Sequence, residues 1–337
     1  MSAKTGVVSR GLFKNLCRYG ARGGQKHLPE NPYTTQHSDT NVFEHEVISM
    51  RNLAFQMKQM CDRSKGGSHS TQATRRRHLS AIARAVEQLG FRNLDIHSLK
   101  PKHVEALVAH WKNEGLSVGT MKNLMTAVRF WAEYIGKENV VKQSNRDYGI
   151  DDRVLVTNES KATEVTDEHL SRISDPNTHM SLQLQRAFGL RREESIKIKP
   201  AWADLGDRLR LKDSWTKGGK YREVPISSTE QRAILDKARA LAGDGSLIPA
   251  SMRYKDQLNR FKAQCQQAGI ANVHGQRHRC AQRRYEMLTG WKPPACGGPV
   301  SKQLTPEQKA RDRAVRLLIS KELGHEREQI TAVYLGR

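Results

Sequence analysis

From Met50 onward the apolar positions of this chain recur at intervals of three and four residues. Met50, Leu53, Ala54, Met57, Met60 and Cys61 share one helical face. Leu79, Ile82, Ala83, Val86 and Leu89 repeat the pattern after the polar run STQATRRRH, whose Ser or Thr suits a helix cap. Val104, Leu107, Val108 and Trp111 define a third helix that begins just after Pro101, a ring suited to a first helical turn. Met121, Leu124, Met125, Val128, Trp131 and Ile135 define a fourth. Four helices with short connections predict a small all-α domain over residues 45–137, with the methionine and aromatic stripes as its core.

The periodicity then lapses. Residues 138–165 show no sustained period and read as an interdomain linker. After them TDEHLSRI opens a helix with Thr166 as its cap, and SLQLQRAFGL reads as a buried helix. DRLRLKDSWTKGGKYREVPI alternates as two strands joined at Gly218-Gly219, a hairpin signal. Helical patterns run on to the C-terminus, broken by GWKPPACGGPVS, a loop. A second domain therefore spans residues 166–337, and the chain is mainly α with a small β-hairpin or sheet.

Charge adds a partner to this outline. Among 337 residues, 57 Lys and Arg against 35 Asp and Glu leave a net charge of +22. An excess of that size points to a polyanion, and nucleic acid is the commonest one. No lipid anchor or long apolar span suggests a membrane role, and the N-terminus lacks the apolar core of a secretory signal. Five scattered cysteines, Cys17, Cys61, Cys265, Cys280 and Cys296, read as reduced thiols. The expected location is the cytoplasm. Residues 1–42, basic with interspersed Phe13, Tyr19 and Tyr33, read as an arm along DNA phosphates or as a disordered tail. Arg75, Arg76, Arg77, Lys102, Lys122 and Arg129 lie on polar faces of the helical domain, as DNA-phosphate contacts or as plain surface charge.

The densest chemistry lies in VHGQRHRCAQ, residues 273–282, which sets two histidines and two arginines within six positions. A zinc site would use His274, His278, Cys280 and Cys296. Gly275, however, stands where a metalloprotease helix needs Glu, and no C-x-x-C pair is present. A patch of solvated surface would leave other features unrelated. AFGLRREES carries Arg191 with Glu194 three residues on, TKGGK carries Lys217, ELGH carries His325, and ITAVYLG carries Tyr334 nine residues later. A clamp around a phosphate is the third reading.

In this order the motifs resemble the tyrosine recombinases, the phage-integrase family. Members are marked by an Arg in a G-L-R turn, a hairpin Lys, H-x-x-R, L-G-H and a Tyr shortly after. The likeness runs over residues 45–337. It implies an N-terminal four-helix SAM-like core-binding domain followed by an α+β tyrosine-recombinase catalytic domain. It also implies Arg191, Lys217, His274, Arg277 and His325 around the nucleophile Tyr334. The chemistry is coherent on its own terms. Guanidinium forks match the non-bridging oxygens of a phosphodiester under attack, and His325 would donate to one of them. A phenol ionises near pH ~10, so Tyr334 needs cations and a proton acceptor nearby. His274 is the candidate acceptor, with phosphate binding as its other role. Lys217 would protonate the departing 5′ oxygen. Glu194 reads as an orienting hydrogen-bond partner, His278 as a packing histidine and Arg192 as a surface charge. Tyr285 and Tyr221 compete with Tyr334 but follow no L-G-H.

The resemblance implies a site-specific recombinase of a phage, genomic island or integrative conjugative element. It would act on double-stranded DNA as a homotetramer, with a DNA-bending or directionality protein as an accessory partner and with no metal or other cofactor. A type IB topoisomerase and a non-catalytic DNA-binding relative are the rivals. Two departures stand out. LTGWKPPACGGPVSKQLTPEQKARDR lengthens the interval from Arg277 to His325, and the insertion over 286–316 is expected to be a surface loop with an extra helical turn. The sequence also closes at Arg337, where many members continue into a helix that docks on a neighbouring subunit. That contact is expected to be made differently, or the sequence to be truncated.

Overall fold

The computed structural model describes residues 53–325 and 327–337, so the basic arm read over 1–42 lies outside the described residues. The chain divides into two compact units at Asp151/Asp152, mainly helical with one two-stranded antiparallel sheet among the described residues. Among those residues no helix is long and apolar enough to cross a membrane.

The first unit contains α1 (residues 53–63), α2 (His69–Gln88), α3 (Pro101–Asn113) and α4 (Val118–Tyr134). Ser68 and Ser117 cap α2 and α4 by accepting from the amides of Thr71 and Thr120, and Pro101 opens α3. Helix α2 starts ten residues before the apolar pattern does, because the polar turns after the Ser68 cap show no period. Arg75, Arg76 and Arg77 are therefore helical. Leu79, Ile82, Val104, Leu107, Met125, Val128 and Trp131 fill the core, and Trp131 Nε1 donates to the Ile96 carbonyl at 2.7 Å.

Half of the stretch read as a linker belongs to this unit. Val141, Tyr148 and Ile150 are buried in the same core, and Lys112 Nζ donates to the Tyr148 carbonyl at 2.8 Å. Two short 3-10 turns, Glu138–Val140 and Arg146–Tyr148, break up this stretch, which is why no helical period marks it.

The second unit runs through α5 (Asp167–Ser171), α6 (Pro176–Phe188), α7 (Arg192–Lys197), α8 (Pro200–Ala203), β1 (Arg208–Leu211) and β2 (Arg222–Pro225). It continues through α9 (Thr229–Ala242), α10 (Tyr254–Gln267), α11 (Gly275–Thr289), α12 (Pro306–Glu322) and α13 (Glu328–Leu335). Thr166 caps α5 by accepting from the His169 amide. The strands pair from Arg208↔Pro225 to Leu211↔Arg222. They are not joined by a two-residue turn. The connection spans 212–221, because Asp213–Trp215 form a 3-10 turn that buries Trp215 before Gly218 and Gly219 bring the chain round. The insertion is also more than a surface loop. Pro294, Ala295 and Leu304 are buried, and a Cβ on Gly336 would stand 2.7 Å from the Ala295 nitrogen, so loop and α13 are in contact.

Trp131→Phe removes the donor to the buried Ile96 carbonyl. Urea unfolding of the full chain should show the helical unit destabilised by about 1–3 kcal/mol. No change would mean that water reaches that carbonyl.

Candidate active site

Four local structures converge in the second unit. Gly189 ends α6 with φ +61°, and a Cβ there would lie 3.1 Å from Cys280, so glycine is needed on both counts. Its turn delivers Arg191 to the start of α7. His274 stands at the start of α11. The following Gly275 lies so close to Thr163 that a Cβ would come within 2.2 Å of the threonine Oγ1. One turn later Arg277 is buried. Gly324, φ +70°, turns the chain after α12 and presents His325, and α13 carries Tyr334.

The Tyr334 hydroxyl lies between Arg277 Nε, 3.4 Å away, and His325 Nε2, 3.5 Å away. Three imidazoles surround its ring, with centroids at 4.5 Å for His278, 5.8 Å for His325 and 6.3 Å for His274. Arg277 Nη1 donates to the Gly189 carbonyl at 2.6 Å and Nη2 to the Leu323 carbonyl. Arg191 Nη2 reaches the same Leu323 carbonyl at 3.3 Å, so the two guanidiniums meet there. Glu194, fully buried, accepts from Arg191 Nη1 at 2.8 Å and from both Nη atoms of Arg222 at 2.7 Å.

The electrostatics follow from burial. Burial alone would raise the Glu194 pKa. The hydrogen bonds and charge of Arg222, with Arg191 and Arg277, outweigh it and hold the carboxyl at about 2. Burial and then Arg191 bring Arg277 down to about 10, which leaves it protonated at neutral pH. Burial, with Arg277 and Arg191 next, lowers His325 to about 4. Burial and then His274 lower His278 to about 4 as well. His274 is lowered by burial, Arg277 and Arg191. Near neutral pH, His278 and His325 are therefore uncharged. His278 Nδ1 is buried with no hydrogen-bond partner among the described residues. A cationic pocket around a phenol, with neutral imidazole N–H donors beside it, can grip a phosphate oxygen next to the hydroxyl.

Of the residues expected from sequence, Arg191, His274, Arg277, His325 and Tyr334 come together. Lys217 does not. It sits exposed in the β1–β2 connection and, among the described residues, makes none of these contacts. Arg192 is an exposed charge. Tyr285 is fully buried and donates to Asp312, with burial and then Asp312 raising its phenol to about 12. Tyr221 is exposed and donates to Glu223 at 2.6 Å. Among the described residues, neither has a guanidinium and an imidazole hydrogen-bonded at its hydroxyl. No group of three or more His, Cys, Asp or Glu side chains is placed to hold a metal ion among the described residues.

In the helical unit, Arg77 and Lys102 are exposed, and Lys122 is half-buried. Arg75 stacks on Phe130, its guanidinium 4.0 Å from the ring centre, and Arg76 pairs with Asp62. Arg129 donates to Asn145 Oδ1 at 2.9 Å and to nearby carbonyls, so it braces the 142–145 loop.

Sequence reading missed three supports. Arg222 holds Glu194, Gln282 Nε2 donates to the Tyr334 carbonyl at 2.9 Å, and Arg316 Nη1 donates to the Gly336 carbonyl at 2.8 Å. A signal existed for Arg222. The strand alternation that turns Leu209, Leu211 and Val224 inward also turns Arg222 inward, and a buried charge calls for a partner.

A family model described as "Phage integrase, N-terminal" matches residues 50–141, and one described as "Integrase" matches residues 153–283. Arg191, Lys217, His274 and Arg277 lie inside the second match, while His325 and Tyr334 lie beyond it. The chain belongs to the tyrosine recombinase, or phage-integrase, family. No curated protein sequence matches it significantly. The structure is similar to a lambda integrase tetramer bound to a Holliday junction, at 14% identity and TM-score 0.55, over 90% of this chain and 83% of that one. It is also similar to the XerH site-specific recombinase in a pre-cleavage complex with its difH substrate, at 16% identity and TM-score 0.51, over 90% and 87% of the two chains. At these identities the likenesses establish the fold.

His278 and His325 both titrate near 4 when folded, against an ordinary value of 6.5. The unfolded chain thus binds more protons between those values, and stability falls as pH drops from about 6.5 toward 4. Denaturation midpoints of the full chain should be lower at pH 5 than at pH 7, and His278→Gln should flatten the slope. A midpoint unchanged over that interval would contradict the burial of these rings.

Proposed function

We propose that this protein is a site-specific DNA recombinase, the integrase of a phage, genomic island or integrative conjugative element, with Tyr334 as its nucleophile. One observation carries the reading. The Tyr334 hydroxyl lies between a buried arginine and an imidazole that come from different helices and turns of the same unit. Arg191 and Arg277 take the two non-bridging oxygens of the scissile phosphate, exchanging some of their present carbonyl partners for a charged one. His325 donates from Nε2 to one of those oxygens.

Tyr334 Oη attacks phosphorus, and its proton passes to His274 or to solvent beside it. The bond to the 5′ oxygen breaks. Lys217 protonates that oxygen once the 212–221 connection brings it to the DNA. The product is a 3′-phosphotyrosyl bond, whose energy lets the 5′-hydroxyl of a second strand reverse the step without ATP.

Each protomer cuts one strand, so exchange between two duplexes calls for four copies, and a homotetramer on DNA follows. An accessory DNA-bending or directionality protein fits the same scheme, and the work is cytoplasmic. The helical domain over 45–137 serves as the core-binding domain, with Arg75, Arg76, Arg77, Lys102, Lys122 and Arg129 as its phosphate contacts. Residues 166–337 form the catalytic domain. Nothing in the site favours topoisomerase-like relaxation over strand exchange, and the convergence on Tyr334 disfavours a relative without chemistry.

Tyr334→Phe removes one oxygen and keeps the ring. On nicked duplexes drawn from the flanks of its own gene, the wild type should accumulate a covalent protein–DNA complex and the variant none, while gel-shift affinity stays close to wild type. Covalent capture by Tyr334→Phe would move the nucleophile elsewhere, and a wild type that never captures DNA would leave only a binding protein. Duplex affinity should also fall steeply with salt, log Kobs losing about 0.9 per decade of salt for each phosphate neutralised. A flat dependence would remove the role assigned to the +22 charge.

A further inference from the structure

Arg222 lies outside every motif that marks the site, yet its guanidinium touches both halves of it. Nη1 and Nη2 fork onto the Glu194 carboxylate, each at 2.7 Å. The same carboxylate receives the Arg191 amide at 2.7 Å and Arg191 Nη1 at 2.8 Å. The remaining donor, Nε, bonds the Glu322 carbonyl at the end of α12, 3.0 Å away. Gly324 packs on the arginine stem so tightly that a Cβ would sit 2.9 Å from Arg222 Cδ. His325 is the next residue.

We propose that Arg222 is a positioning residue for strand cleavage, one guanidinium setting both the Arg191 arm and the turn that presents His325. The proposal rests on the recombinase reading of Tyr334. Glu194 is faced by Arg191 from the start of α7, Arg222 from β2, Arg277 from α11 and His325 from the turn after α12. Arg222 is the strongest of these partners, because it alone meets both carboxylate oxygens through its side chain. Without it a fully buried carboxylate keeps one side-chain donor and an amide. Two things then follow together. Arg191 loses its fixed orientation, and Glu194 takes up a proton more readily as pH falls. A residue that served only to stabilise the fold would slow cleavage by the same factor at every pH.

The test is Arg222→Met, which keeps the length of the stem and removes the charge. Single-turnover covalent capture on the nicked duplex should fall about a hundredfold, as misplacement of reacting groups by an ångström does. Gel-shift affinity should stay near wild type, because Arg222 is buried. The deficit should widen as pH is lowered from 8 toward 5.5, since wild-type Glu194 remains ionised down to about 2. In 13C spectra of glutamate-labelled protein without DNA, the carboxyl with that low midpoint should move upward.

Should the bare buried charge unfold Arg222→Met, the pair Glu194→Gln with Arg222→Met removes it. That protein should cleave slowly, with a deficit that no longer changes with pH, and Arg222→Lys should recover part of the rate. Wild-type cleavage by Arg222→Met, or a deficit independent of pH with an unmoved carboxyl midpoint, would overturn the proposal. A wild type that captures no DNA would instead sink the recombinase reading and this role of Arg222 with it.

Discussion

Keeping like charges close together is the constraint on which the second unit depends. Arg191, Arg222 and Arg277 crowd one buried region, and their mutual repulsion in a poorly solvated interior is severe. Glu194 resolves it by accepting from two of the three guanidiniums, and its low pKa measures how strongly they hold it ionised. Backbone carbonyls at Gly189 and Leu323 take up the third. One anion for three cations leaves a deficit of negative charge, and an anionic ligand is what such a pocket is built to accept. The pocket is organised before its ligand arrives, which is what electrostatic stabilisation of a developing charge requires.

The tyrosine is held by a separate set of contacts. Gln282 fixes the carbonyl of Tyr334 itself, and Arg316 fixes the carbonyl of Gly336 while its Nε grips Asp312 at 2.8 and 2.9 Å. Asp312 in turn receives Tyr285, whose hydroxyl also accepts from Trp291 Nε1 at 3.1 Å. Tyr285, a rival nucleophile by sequence, belongs to the support of the residue it was compared with. The two sets of supports meet where Arg277 Nε reaches the Tyr334 hydroxyl.

Much of this was legible in the sequence because it is local. A 3.6-residue period names a buried face, and α3, α4 and α6 follow it. The G-L-R, H-x-x-R and L-G-H motifs are turns or helix starts whose glycines meet real constraints at Gly189, Gly275 and Gly324. What could not be read were relations across the fold. The length of the hairpin connection was misjudged because Trp215 buries itself there, whereas Lys217 does lie beside the Gly218-Gly219 turn. The 138–150 stretch looked like a tether because 3-10 turns bury residues without a period. His278 looked like packing, and it does pack, but on the Tyr334 ring. Arg222 announced only that it faced inward. Which carboxylate it met depended on residues 28 positions away.

The close approach of Gly336 to the loop after α11 bears on how this sequence is free to vary. A surface insertion ordinarily drifts in length, since chain entropy penalises a few extra residues only weakly. Here the backbone of Ala295 lies where a side chain at 336 would be, and Asn158 exchanges two hydrogen bonds of 2.9 Å with Arg337 beside it. Loop, tail and the strand of chain at 158 form one surface with no slack. In descendants of this sequence the three segments should change together or not at all, so that the loop is inherited with the helix that carries Tyr334.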